Sequence, residues 1–107
     1  MTYQDLLTIT ARKKEDETMK TYYLIKAYAI QYNGGQYAER VHYFGKQNEV
    51  IGYRTEEGDK RYTKADILNH GYRSYRKALE AGRALKDLER SPGWQVSITI
   101  IAETVAA

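Results

Sequence analysis

The sequence predicts an α+β domain: an antiparallel sheet of three to five strands, opening with a tight hairpin, covered on one face by one principal helix and completed by a final C-terminal strand. Three observations predict it. Asn33-Gly34-Gly35 separates two alternating runs, residues 20–32 and 37–45; an apolar stripe at helical spacing follows Ser74; and a last alternating run begins at Trp94. Strands that pair in sequence order, with the helices gathered after them, suit an antiparallel sheet better than a parallel one.

The N-terminal residues 1–18 read as a strand or arm ending in a charged turn. Leu7, Ile9 and Ala11 alternate, although Thr2 and Asp5 also suit a helix cap, and Arg12 to Thr18 contains no apolar residue. Residues 19–107 form the single α+β domain.

The hairpin comes first because Gly34 and Gly35 tolerate the positive φ angles of a tight primed turn. A turn of two or four residues aligns Leu24, Lys26, Tyr28, Ile30 and Tyr32 with Tyr37, Glu39, Val41 and Tyr43 on one face. Tyr23, Ile25, Ala27, Ala29 and Gln31 then share the other with Ala38, Arg40, His42 and Phe44. A helix approaches most closely over the small Ala27, Ala29 and Ala38, which sends the tyrosines outward. Burial of Leu24, Ile30 and Val41 instead, with tyrosine rings filling gaps, is the alternative that the pattern leaves open.

Gly45 to Glu49 forms the next turn and Val50 to Arg54 a short third strand. The stretch Thr55 to Lys60 turns back to a fourth at Arg61 and Tyr62. Thr63 and Asp66 suit a capping box for a short helix ended by Gly71. Ser74 caps the principal helix, which runs to Arg90 and stops at Ser91-Pro92-Gly93. Its stripe is Tyr75, Ala78, Leu79, Gly82, Leu85 and Leu88. In the last strand Trp94, Val96, Ile98, Ile100 and Ala102 alternate with Gln95, Ser97, Thr99, Ile101 and Glu103.

Composition limits the chemistry. The 107 residues fit one core, and the absence of cysteine excludes disulfides, thiolate metal sites and cysteine nucleophiles. No signal peptide pattern and no long apolar run occur, so the expectation is a cytoplasmic protein without a membrane partner. Neither a phosphate-binding glycine loop nor a nucleophile elbow is present, and Glu56, Glu57 and Asp59 lack calcium-loop spacing. No metal or cofactor is expected. His42 and His70 are the sole histidines and would be the acid and base of a small ribonuclease-type toxin if they met in space. The plainer expectation is a protein that is not an enzyme.

Two features suggest binding. The net charge of +3 is concentrated, since residues 61–90 hold 8 lysines and arginines against 4 carboxylates. Arg76, Arg83 and Arg90 recur every seven residues on one helical face with Lys86 beside them, a row that can track phosphates. Glu80 and Asp87, each four residues after an arginine, offer the plainer reading of a solvated salt-bridge ladder. Separately, the chain has 11 tyrosines but one phenylalanine and one tryptophan. Tyr28, Tyr32, Tyr37 and Tyr43, with Lys26, make a platform for stacked bases or for a protein partner, or else pack against one another across strands.

The stretch GYRSYRKALEAG (Gly71 to Gly82), behind a sheet of three strands, resembles the arm-type DNA-binding modules that begin some phage and transposon integrases. The resemblance implies a sheet that enters a DNA groove, with Lys26, Arg40 and the tyrosines as contacts. The insertion from Val50 to Asn69 and the strand from Trp94 to Ala102 depart from that pattern.

The function these readings favour is a small, basic, non-enzymatic binding module. It would contact nucleic acid or another acidic surface through the basic helix and the tyrosine-rich sheet face. A protein inhibitor from a phage or mobile element, directed at a host nuclease complex in the manner of anti-CRISPR proteins, is the alternative. A homodimer joined through the tyrosine face is a third arrangement.

Overall fold

The sheet is assembled on both edges of β1 (Met19–Asn33), its longest strand. The computed structural model describes residues 19–88 and 93–106; the N-terminal segment 1–18, Arg90 and the side chain of Leu88 lie outside the described residues. β2 (Gln36–Phe44) returns along one edge of β1, followed by β3 (Val50–Thr55) and the short β4 (Gly58–Lys60). β5 (Trp94–Ala106) pairs antiparallel with the other edge of β1, giving the order β4-β3-β2-β1-β5.

The turn chemistry sets the register as the sequence predicts. Gly34 and Gly35 take φ angles of 60° and 86°, closing a two-residue loop that pairs Asn33 with Gln36 and Tyr32 with Tyr37. Both predicted faces follow from that pairing. The turn after β2 is sharper, with Gln47 and Asn48 both at positive φ in a 3-10 turn over Lys46–Asn48, and a bulge follows where β3 joins Tyr43 and Phe44.

The fourth strand lies earlier than expected. Glu56 and Glu57 close a tight turn, the Glu57 N–H donating to Thr55 Oγ1 at 3.2 Å, so Gly58 pairs directly with Thr55. Arg61 and Tyr62 are left outside the ladder and lead into α1 (Lys64–His70). That helix starts with the predicted reciprocal capping box, the Asp66 N–H donating to Thr63 Oγ1 and the Thr63 N–H to Asp66 Oδ2. α2 (Tyr75–Leu88) starts at Ser74, whose side chain accepts from the Lys77 N–H.

The helices pack on opposite faces. Ile25, Ala27 and Phe44 are buried with Leu85 of α2, and Val96, Ile98 and Ile100 of β5 close around them. Leu24, next to Ile25 and therefore on the reverse face, is buried with Ile51 and with Ile67 of α1, flanked by Tyr22, Tyr43, Tyr62 and Ile101. Thus the alanine face lies under the principal helix as expected, while one end of the tyrosine face is closed by the short helix. Gly71 to Ser74 carries the chain between faces beside the edge of β1. There Tyr23 and Tyr72 exchange backbone hydrogen bonds of 2.7 and 2.9 Å.

Tyr62 ties the second cluster across the sheet. Its ring meets Tyr43 edge-on at 5.2 Å, and its hydroxyl donates to Glu103 Oε1 on β5 at 2.6 Å. Burial first, and then this hydrogen bond, hold the Tyr62 phenol well above the ordinary tyrosine range; burial also raises the Tyr72 phenol. The folded protein therefore keeps protons that the unfolded chain releases above about pH 10, so stability is full below that point and falls as pH rises beyond it. The urea midpoint should drop between about pH 8 and about pH 11, and less steeply in Tyr62→Phe, which lacks the titrating group. An equal drop in both proteins would remove Tyr62 as the cause.

Candidate functional site

The predicted site residues divide into two surfaces on opposite sides of the sheet. On one side, Lys26, Tyr28, Tyr32, Tyr37 and Tyr43 share a face because they alternate in register across β1 and β2. Their environments differ along that face. Tyr43 is half-buried in the cluster under α1, whereas Tyr32 and Tyr37, at the hairpin end where no helix reaches, are 70% and 63% exposed. Their ring centroids stand 6.2 Å apart. Tyr28 is held above its ordinary pKa, chiefly by the neighbouring Glu39 carboxylate. Arg54 joins this face opposite Val41, close to Lys26 and Tyr28.

On the other side stands α2. Ala81 and Leu85 pack toward Phe44 of β2, so Leu79, Arg83 and Lys86, rotated the other way from Gly82, lie on the β5 side. The position of Lys86 beside Trp94, Gln95 and Val96 agrees. Arg76, Lys77, Arg83 and Lys86 are all exposed, with Arg73 just before the helix. The ladder forms in part: Arg76 Nε is 3.5 Å from Glu80 Oε1, both side chains being mostly in solvent, and this is the one ion pair among the described residues. Such a pair contributes little, about 0.3 to 0.5 kcal/mol. Arg83 has no carboxylate within ion-pair distance among the described residues. Arg90 falls outside them.

Arg40 belongs to neither surface in the way the sequence suggests. Its guanidinium carbon lies 4.3 Å over the Trp94 ring, and its Nε is buried without a hydrogen-bond partner. It helps line an open groove of about 460 Å³ with Gln31, His42, Glu56 and Trp94. Trp94 is the partner that sequence reasoning missed. Arg40 pairs with Ala29, and Trp94 with Gln31, so the two meet diagonally across β1, and only the assembled register reveals it. A second cation–π contact, Arg73 over Tyr22 at 4.7 Å, was equally hidden.

The histidines are separated by the sheet. His42 lies against Phe44 on the α2 face, whereas His70 ends α1 on the reverse face. No group of three or more metal-ligating side chains occurs among the described residues, and none of their helices is long and apolar enough to cross a membrane.

Comparison with protein-family models, with curated proteins and with solved structures finds no match for this chain. The functional reading therefore rests on its own residues.

Proposed function

We propose that the protein is a non-enzymatic module that binds nucleic acid through the exposed basic residues of α2. One observation supports the reading above the rest: Arg76, Lys77, Arg83 and Lys86 are exposed along one helix and are offset by a single solvent-screened ion pair among the described residues. Each phosphate neutralised by such a residue releases condensed counterions, so affinity must fall steeply with salt. Fluorescence anisotropy with labelled duplex DNA, single-stranded DNA and RNA, at about 50 and 200 mM salt, tests this. Arg76→Ala combined with Arg83→Ala should weaken binding to duplex about tenfold or more and reduce the log–log salt slope by about 1 to 2. Tyr32→Ala with Tyr37→Ala, on the opposite side of the sheet, should leave both quantities nearly unchanged. Absence of binding at the lower salt would overturn the proposal.

The second reading has its own observation, the exposed pair Tyr32 and Tyr37. Neighbouring aromatic side chains on an uncovered sheet are suited to anchor a protein partner. A chain that ignores nucleic acid, yet captures a nuclease–guide RNA complex and loses it on Tyr32→Ala, would be an inhibitor of the anti-CRISPR type instead.

A further inference from the structure

We infer that the outer edge of β5 pairs with the same edge of a second copy of this chain, antiparallel about a two-fold axis through Ile100. The two edges of the sheet are built differently. β4 is 3 residues long and carries Asp59 and Lys60, features that discourage strand addition. β5 has 13 residues, a single charge at Glu103, and neither proline nor glycine. It pairs with β1 from Trp94 to Ala106 without a register shift, so no bulge twists its free side away. Among the described residues no strand lies on that side. About half of its backbone N–H and C=O groups point outward, a template for another strand.

The sequence of β5 favours a second copy as the occupant. Ile100 is the midpoint of Trp94–Ala106, so a two-fold axis normal to the sheet there uses the whole strand and keeps each face with its like. On the α2 side Val96 would meet the partner's Thr104, and Ile98 the partner's Ala102. On the reverse side Thr99 would meet the partner's Ile101, and Ser97 the partner's Glu103. Within the two paired strands no like charges oppose each other, while Arg83 and Lys86 of each α2 lie on the side toward the other copy. The helices also leave room. Gly82 of α2 faces Ile98 and Ile100 of β5 and Ile25 of β1, which puts the helix between those strands. At about 4.8 Å per strand spacing, the two copies of α2 would stand roughly 10 Å apart, an ordinary interhelical distance. Dimerisation would set the Arg83 and Lys86 sides of two α2 helices beside each other, and sedimentation reads it separately from nucleic-acid binding.

Sedimentation equilibrium across a range of concentrations tests it, with two variants at the exposed Ser97. The wild-type chain should dimerise. Ser97→Glu places two like-charged pairs across the axis and should raise the dimer dissociation constant about five- to tenfold, while Ser97→Lys, facing the partner's Glu103, should leave it unchanged or lower it. Circular dichroism checks that both variants keep their fold. A wild-type monomer throughout overturns the inference, and so does a dimer that responds equally to both charges or to neither.

Discussion

Leu24→Ala is expected to lower the unfolding free energy by about 3 to 4 kcal/mol, a large part of the total for a domain of this size. Leu24 is fully buried, and its neighbours in the cluster come from every part of the chain: Ile51 on β3, Ile67 on α1 and Ile101 on β5. Truncation removes the apolar contact and leaves a cavity that none of these can fill without moving a helix or a strand. Ile25→Ala should cost a similar amount for a different reason. Ile25 is also fully buried, but on the reverse face, under α2 with Phe44 and Leu85. The urea midpoint should fall in each variant with little change in slope. Because the two side chains enter different clusters, the double variant loses packing on both faces of the sheet and should lose most or all of its folded population at room temperature. A loss below about 1 kcal/mol for Leu24→Ala would mean that α1 does not close its face of the sheet.

The pairing of these two residues also shows where sequence reasoning stops. Asn33-Gly34-Gly35, the capping box at Thr63 and Asp66, and the alternation after Trp94 act over a few residues, and each produces the element it predicts. Alternation along β1 offers two faces for burial and does not choose between them. The structure buries both, because the cover changes along β1: Leu24 lies under α1, while Tyr32 on the same face lies beyond its reach. Tyrosines identical in the sequence are sorted by that boundary alone. Tyr43 and Tyr62 become packing residues, and Tyr32 and Tyr37 remain exposed. The candidate site was legible as residue types rather than as an arrangement. Helical periodicity placed Arg76 and Arg83 on one face of α2, but nothing local reveals that this helix and the tyrosines occupy opposite sides of the sheet. That separation depends on how the chain passes the edge of β1 between the two helices.

Gly71→Ala should disturb that passage and cost about 2 to 3 kcal/mol. The backbone of Gly71 is ordinary, with φ of −69°, so the requirement comes from space. A Cβ there would lie 2.5 Å from the Ile67 carbonyl oxygen and 2.8 Å from the Cβ of Tyr22. The first obstacle is backbone of α1 and the second is fixed to β1, so neither yields by rotating a side chain. Relief requires α1 to lift from β1, and the adjoining Tyr72 carries the bridge to Tyr23. Amide exchange at Tyr23 and Tyr72 should therefore quicken more than exchange within β2. Gly82→Ala provides the comparison. Its Cβ would meet side-chain methyls, Ile98 Cγ2 at 2.9 Å and Ile100 Cδ1 at 3.4 Å, while alanine favours the helix by about 1 kcal/mol. Its net effect should be less than half that of Gly71→Ala. Equal costs at the two glycines would place the constraint in general crowding of the sheet, and the crossing at Gly71 would lose its special role in holding the two helices on opposite faces.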